Sequence, residues 1–323
     1  MFRRRFLQYV LASGLSATLA HLTPAFAQSD AETAPTSRIP ARMGEGRPSI
    51  TAQRTATLRA EHQILDQPRI LDDPLALRII GTPAESLVRA DPQRDERLAT
   101  LRAFVALRSR YAEDELARAV QRGVRQYVIL GAGLDTFAYR NPYPGSRLRV
   151  FEVDHPATQS WKRARLHETG ITIPDSLTFA PIDFEKQTLA DGLKRAGFKT
   201  DEPAFFSLLG VVVYLTKDAV METLRLVASL PSGSEIVFDY ALPSSALSEN
   251  ERARRKVLAS RVAAIGEPWI TYFDPPSLAS ELRQLGFTHV QDLGPGEAND
   301  RYFKDRKDGL RVGGTAHLME AGL

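Results

Sequence analysis

The chain has 323 residues, of which 43% are hydrophobic and 25% charged, a usage typical of globular domains and unlike that of disordered chains or membrane-spanning bundles. It contains no cysteine, which excludes disulfide scaffolds, thiolate metal sites and cysteine nucleophiles. Three of its 42 basic residues lie in the first five positions, and the remaining 39 equal the 39 acidic residues, so the body has no net charge that would attract nucleic acid.

The first 27 residues have the three parts of an export signal. Arg3-Arg4-Arg5 precedes an apolar stretch over 9–22 that is too short for a comfortable membrane span, and Ala25-Phe26-Ala27 provides small residues for cleavage. The leader resembles a twin-arginine signal, which exports folded proteins, so we expect a periplasmic protein without a stable membrane span. The alternative is that translation starts at Met43 and the protein stays in the cytoplasm. The expected organisation is a signal at 1–27, a linker at 28–42 and one domain at 43–323.

From about residue 54 the chain alternates helical and strand-like segments. Apolar positions at helical spacing predict helices over 54–65 and 97–122. Short apolar runs predict strands over Gln126–Leu130, Leu148–Val153, Leu177–Pro181, Phe205–Tyr214, Glu235–Tyr240, Thr288–Leu293 and Arg311–Met319. Helices are predicted between most of them, over Pro156–Glu168, Leu189–Ala196, Lys217–Ser229 and Pro275–Leu285. This alternation predicts an α/β fold with a doubly wound, mostly parallel seven-stranded sheet, and the charged helical segment Glu249–Ala264 is interpreted as an insertion over the site.

A Gly-x-Gly turn follows the first predicted strand. Gly131-Ala132-Gly133 allows a tight turn and brings backbone N–H groups close to a ligand at the carboxyl end of the sheet. The third glycine of a dinucleotide fingerprint is absent, because Thr136 stands there, and the carboxylate of Asp135 would repel a pyrophosphate. The turn therefore favours a ligand without phosphates over the NAD or FAD of an oxidoreductase.

Acidic residues end the next two predicted strands. Glu152 and Asp154 face the same side of their strand and follow the glycines by about 20 residues, the spacing at which an acid accepts hydrogen bonds from ribose hydroxyls. Asp183 follows the third strand beside Phe184, and an acceptor next to an aromatic ring suits adenine. Each acid alone also fits a helix cap or a solvated loop, but three at successive strand ends favour a nucleoside site.

With these motifs the chain resembles the leucine carboxyl methyltransferase-like group of S-adenosylmethionine-dependent methyltransferases, and more closely its bacterial branch. The resemblance extends from about Met43 to the C-terminus and implies a class I, Rossmann-like fold with an N-terminal helical cover. It is carried by several separated motifs in the right order: Pro48–Ala52, Arg59–Ala60, Leu71–Ala76, Gln126–Arg140, Phe151–Pro156 with Lys162, Val213–Leu215 and Phe238–Tyr240.

The resemblance also implies S-adenosyl-L-methionine as the cofactor and a set of residues that hold it. An arginine before the glycine strand would grip the methionine carboxylate bidentately, and both Arg108 and Arg110 fit that role. The residues it implies are Arg108 or Arg110, Gly131 in the turn, Asp154 at the ribose, and Asp183 with Phe184 at the adenine. The positions of the turn and of the second strand add Gly133, Asp135 and Glu152 as cofactor candidates. One position departs from the pattern, since Leu209 stands where much of the family has a glutamate before a glycine.

Methyl transfer from a sulfonium is an in-line displacement that depends mainly on positioning, so a dedicated base is optional. A carboxylate acceptor is already ionised at pH 7, whereas a hydroxyl acceptor needs deprotonation. Arg140 is a candidate for orienting an acidic acceptor, and Tyr111 and Tyr214 are candidates for lining the cavity, with packing as the alternative for each. His155 is interpreted as a helix-start residue, and no histidine spacing predicts a metal site.

These observations predict an O-methyltransferase that acts on a carboxylate or hydroxyl of a small molecule or another carboxylate-bearing acceptor. The alternative is a protein that binds the cofactor but in which Leu209 marks lost catalysis.

Overall fold

The computed structural model describes residues 49–323, apart from 84–85, 88–91, 144, 146, 184–186, 265, 316 and the side chains of 92–97. The expected leader at 1–27, the linker at 28–42 and the predicted adenine contact Phe184 lie outside the described residues. In the part of the chain that the structure describes, no helix has the length and apolar character needed to cross a membrane.

A central sheet alternates with helices along the chain. Its strands are β1 (Gln126–Leu130), β2 (Arg149–Asp154), β3 (Leu177–Pro181), β4 (Ala204–Leu208), β5 (Glu235–Tyr240), β6 (His289–Leu293) and β7 (His317–Gly322). The helices are α1 (Ile50–Leu65), α2 (Ala76–Ile80), α3 (Pro92–Gln121), α4 (Pro156–Glu168), α5 (Leu189–Arg195), α6 (Lys217–Ala228), α7 (Glu249–Ala264), α8 (Pro275–Gln284) and α9 (Pro295–Tyr302).

The sheet has seven strands in the order β3-β2-β1-β4-β5-β7-β6. The pairs among β1 to β5 are parallel, and β7 runs antiparallel to both of its neighbours, β5 and β6. This confirms the predicted α/β fold with a doubly wound, mostly parallel sheet. The strand order reverses between β1 and β4, and in such sheets ligands bind at this point, outside the carboxyl ends of the strands.

Helices cover both faces of the sheet because its strands are apolar on both sides. The long helix α3 buries Leu107 and Leu116 on the face that carries Tyr127 and Phe205. Helices α5, α6 and α8 pack on the opposite face, against the side chains of alternate strand residues. By contrast, α7 buries only Val262, so the charged segment predicted as a helical insertion is a helix on the outside of the domain.

Several predicted element boundaries differ from the observed ones, among them the start of α3, which lies at Pro92 instead of 97. The fourth strand ends at Leu208 instead of Tyr214, because Gly210 turns the chain with a φ of +69° and a short helical turn follows over Val212–Tyr214. Because this turn is buried against the core, its residues are apolar like those of the strand, and the run of apolar residues continues past the end of the strand. Helix α1 begins at Ile50 instead of 54, since the Ser49 hydroxyl caps it by accepting the Ala52 N–H. The last strand begins at His317 instead of 311 and runs to Gly322.

Candidate functional site

The glycine turn after β1 joins the tips of three neighbouring strands. Gly131 and Gly133 have φ values of +68° and +48°, a region that favours glycine. The Gly131 and Ala132 N–H groups donate to the Val153 carbonyl of β2 at 2.8 and 3.1 Å. A Cβ placed on Gly131 would lie 2.6 Å from Val211, just after β4, so the tips of β1 and β4 are in direct contact. The turn therefore lies at the switch point of the sheet, with its backbone close to any ligand bound there.

Asp154, at the end of β2, is held in place by backbone donors. Its Oδ2 accepts the Gly133 N–H and its Oδ1 accepts the His155 N–H, both at 2.7 Å. A carboxylate has about four acceptor positions, so these contacts orient the group and are compatible with further donors such as ribose hydroxyls. Asp183 comes next to it, because the preceding residue, Ile182, donates its N–H to the Asp154 carbonyl at 2.9 Å.

The residue after Asp154 begins a helix. The Nδ1 of His155 accepts the Ala157 N–H at 3.2 Å and caps α4. This confirms its interpretation as a helix-start residue.

The two candidate arginines have different surroundings. Arg108 extends from α3 to the tips of β4 and β5, where its Nη1 lies 3.2 Å from Oδ2 of Asp239. A Cβ on Gly210 would lie 2.7 Å from its Nη2, so the guanidinium packs directly against that glycine. Arg110 is half-exposed and bonds to Asp114 at 2.8 Å and to the Ile70 carbonyl at 3.0 Å. The structure therefore brings Arg108 to the carboxyl edge of the sheet and leaves Arg110 on another side of α3.

Glu152 lies only two residues before Asp154 but is sealed inside the protein. Its Oε2 lies 2.7 Å from Lys162 Nζ of α4, with side-chain exposures of 0% and 1%, and it accepts the Tyr139 hydroxyl at 3.2 Å. Burial raises the pKa of Glu152 to about 7, against the opposing influence of Lys162. Of the two acids predicted at the ribose, the structure therefore places Asp154 at the strand tip and Glu152 in an internal ion pair.

Two of the predicted catalytic candidates are tied to other protein groups. Arg140 donates through both terminal nitrogens to the Glu113 carboxylate, one of them at 2.8 Å, and its Nε lies 3.4 Å from Asp73. The buried Tyr111 hydroxyl donates to Glu320 of β7 at 2.9 Å, and burial raises its pKa well above the ordinary value.

The remaining candidates lie in turns at the carboxyl edge. Tyr214 is buried in the turn that follows β4. Asp135 accepts the Phe137 N–H through Oδ1 at 2.8 Å, within the glycine turn.

The N-terminal segment covers the glycine turn. Asp73, a residue to which the sequence analysis assigned no role, connects the two. The fully buried Asp73 carboxylate accepts the Arg59 Nε–H at 2.8 Å and the Thr136 hydroxyl at 2.6 Å. Ala52 of α1 would lie 3.1 Å from a Cβ on Gly133. The turn is thus packed under α1, in agreement with the expected N-terminal helical cover, and no spacing in the sequence indicates that Asp73 would join these elements.

Asp239 is a second residue at the site to which the sequence assigned no role. It accepts the Gly210 N–H as well as the Arg108 guanidinium, and so joins β5, the β4 tip and α3. Its signal in the sequence is an acid that directly follows the apolar run over 236–238 near the end of β5. Among the described residues, no group of three or more His, Asp or Glu side chains is arranged to hold a metal ion.

These residues fit S-adenosyl-L-methionine. The carboxyl edge combines a close-approach glycine turn, the Asp154 carboxylate for hydroxyl donors and the Arg108 guanidinium for a carboxylate, which are the groups that an adenosyl amino acid requires. Asp135 in the turn disfavours a pyrophosphate. The strand order and the groups at this edge are those expected of a class I methyltransferase that uses S-adenosyl-L-methionine.

Comparisons with known proteins give the family. Residues 52–228, more than half of the chain, match the leucine carboxyl methyltransferase family. The chain is 35% identical over 303 residues to YktD of Bacillus subtilis (strain 168), a protein named as a candidate S-adenosyl-L-methionine-dependent methyltransferase, covering 86% of this chain and 99% of that protein. It is 30% identical over 240 residues to a protein of the same description from Mycobacterium avium (strain 104), covering 70% and 74%. The chain belongs to the leucine carboxyl methyltransferase family.

The fold is also that of a solved structure. A crystal structure of a candidate methyltransferase from Thermobifida fusca YX matches with a TM-score of 0.51 at 16% identity, covering 86% of this chain and 96% of that one. At this identity the match shows the fold alone.

Proposed function

We propose that this methyltransferase transfers a methyl group to an oxygen atom of its acceptor, and that the acceptor is a carboxylate. The observation that carries the proposal is that Tyr111, one of the predicted catalytic candidates, is buried and donates its hydroxyl to Glu320 within the protein. A buried tyrosine with a raised pKa stays protonated and is a poor proton acceptor. Arg140, the candidate for orienting an acidic acceptor, is held by Glu113 and Asp73, so the proposal gives it no part in binding the acceptor. An acceptor that is already ionised at neutral pH needs no base, and a carboxylate meets this condition.

Four features of the chain would hold the cofactor. Asp154 would accept hydrogen bonds from the ribose hydroxyls, and Asp183 at the adjacent tip would accept from adenine. Arg108 would bind the methionine carboxylate, since a guanidinium matches a carboxylate through two parallel hydrogen bonds. Gly131 would keep the turn tight at the switch point, since a side chain there would meet Val211.

When bound, S-adenosyl-L-methionine supplies an electrophilic methyl group whose bond to sulfur breaks, with the electron pair going to sulfur, as the new bond to the acceptor oxygen forms. The task of the protein is to align the two reactants and to keep water away from them. The cover formed by α1 over the glycine turn provides part of that enclosure.

The experiment incubates the purified protein with methyl-labelled cofactor and matched panels of carboxylic acids, phenols and alcohols. We expect label in the carboxylic acids, released as volatile methanol after mild alkali, because methyl esters hydrolyse and methyl ethers do not. Asp154→Ala serves as the control with impaired cofactor binding. Label that resists alkali would contradict the carboxylate acceptor, and tight cofactor binding without labelled product in any panel would favour the alternative of lost catalysis.

A further inference from the structure

Asp239 lies near the carboxyl end of β5, a strand whose residues are all buried. One carboxylate oxygen accepts the N–H of Gly210, in the turn after β4, and the other lies 3.2 Å from Nη1 of Arg108. A single side chain therefore connects β5 to the β4 tip and to the arginine of α3.

These contacts leave most of the Arg108 guanidinium available. A guanidinium carries five N–H donors, and among the described residues Arg108 uses only Nη1, toward Asp239. Both side chains of the pair are 11% exposed, so the pair lies at the border of the protein interior and not inside it. The geometry suits an arginine that is fixed through one nitrogen and binds a ligand carboxylate through the others.

Fixing this arginine has an energetic benefit for binding. A free arginine side chain loses rotamer freedom when it is immobilised, and this loss opposes binding. An arginine already held by Asp239 and packed against Gly210 loses less of that freedom on binding, which favours the complex.

We propose that Asp239 is a positioning residue: it holds Arg108 at the β4 tip, where Arg108 binds the methionine carboxylate of the cofactor. Asp239 thereby supplies, from β5, the acid that Leu209 does not provide. This inference rests on the role proposed above for Arg108. On this proposal Leu209 by itself does not indicate lost catalysis, since the tip of β4 has an acidic partner from the neighbouring strand.

The test compares two ligands that share the adenosine part. S-adenosyl-L-homocysteine carries the amino-acid carboxylate, whereas 5′-methylthioadenosine lacks it. For Asp239→Asn we expect affinity for S-adenosyl-L-homocysteine to fall about tenfold, as befits one charge-assisted contact, and affinity for 5′-methylthioadenosine to stay within twofold, both by titration calorimetry. Equal losses for the two ligands would show a purely structural role and overturn the proposal, as would no loss for either.

A double-mutant cycle separates this inference from the function it rests on. In an Arg108→Lys background we expect Asp239→Asn to have no further effect, because it acts through the guanidinium. If Arg108→Lys alone does not change ligand preference, the proposed role of Arg108 is wrong. If Arg108→Lys changes the ligand preference and Asp239→Asn does not, only the positioning role of Asp239 is wrong. Should Asp239→Asn fail to fold, Asp239→Ser, which is shorter and also uncharged, is measured in its place with the same expected selectivity and the same overturning outcomes.

Discussion

Two acid–base pairs at the same end of the sheet differ in how far the protein encloses them. Glu152 and Lys162 lie 2.7 Å apart with exposures of 0% and 1%, and Tyr139 donates a further hydrogen bond to the acid. Arg108 and Asp239 lie 3.2 Å apart with exposures of 11% each, beside the Gly210 turn. The first pair is enclosed and joins α4 to β2, whereas the second is at the edge and keeps donors available for a ligand. An ion pair alone therefore does not mark a binding site: exposure and unused donors distinguish the candidate binding group, Arg108, from the enclosed Lys162.

The largest expected effect comes from breaking the enclosed pair. Lys162→Met leaves Glu152 without its cation in a buried position, so at pH 8 we expect the free energy of unfolding to fall by about 3–5 kcal/mol. Urea denaturation followed by circular dichroism measures it. The matched control is Lys162→Met combined with Glu152→Gln, which removes both charges and should recover most of the loss. A single variant as stable as the wild type would show that the pair does not stabilise the fold.

The enclosed pair should also make stability depend on pH in a defined direction. Because the folded protein retains the Glu152 proton up to about pH 7 and the unfolded chain releases it near 4.5, the stability contributed by this proton is present below pH 4.5 and lost as the pH rises through 7. The free energy of unfolding of the wild type, minus that of Glu152→Gln, should therefore fall by on the order of 3 kcal/mol between pH 4.5 and 8. Denaturation curves across this range measure the difference. A difference that stays constant or grows with pH would contradict the raised pKa.

Asp154 can be compared directly with the enclosed Glu152, because it lies two residues away on the same strand but at the strand tip. We expect Asp154→Ala to weaken binding of S-adenosyl-L-methionine by about 1–3 kcal/mol, through the loss of charged hydrogen bonds to ribose. The loss should be similar for 5′-methylthioadenosine, which has the same ribose. Calorimetry on a variant shown to be folded tests this, and unchanged affinity would remove the ribose assignment.

The smallest of these effects is expected at the edge pair. Arg108→Lys keeps the charge but loses the planar fork, so we expect about a tenfold loss of affinity for S-adenosyl-L-homocysteine and little change for 5′-methylthioadenosine. Arg110→Lys, on the same helix but bonded to Asp114 and Ile70, is the matched control and should leave both affinities unchanged. If the control shows the loss and Arg108→Lys does not, the assignment of the two arginines must be reversed.

Much of the site could be predicted because it depends on local geometry. Gly131 and Gly133 adopt positive φ values in a turn that directly follows an apolar strand, and the sequence shows both the strand and the glycines. Asp154 ends the next strand, and the ends of parallel strands meet at one edge of the sheet. Such placements follow from the order of residues along the chain.

Other placements depend on contacts between distant parts of the chain. Arg108 and Asp239 are 131 positions apart, and only the packing of α3 against β5 brings them together. Glu152 and Asp154 have the same strand alternation, so periodicity could not separate the enclosed acid from the acid at the tip. The early end of β4 was missed because the turn that follows it is as apolar and buried as a strand.

The mostly parallel α/β sheet, the glycine turn and the acids at the strand tips can be inferred from the chain alone, since strand period, turn residues and strand ends are encoded locally. Which acid is enclosed, which arginine reaches the edge and which residue holds it there depend on the folded packing. The physical reason is that burial and ion pairing are properties of space around a side chain, and that space is formed by segments far apart in the sequence.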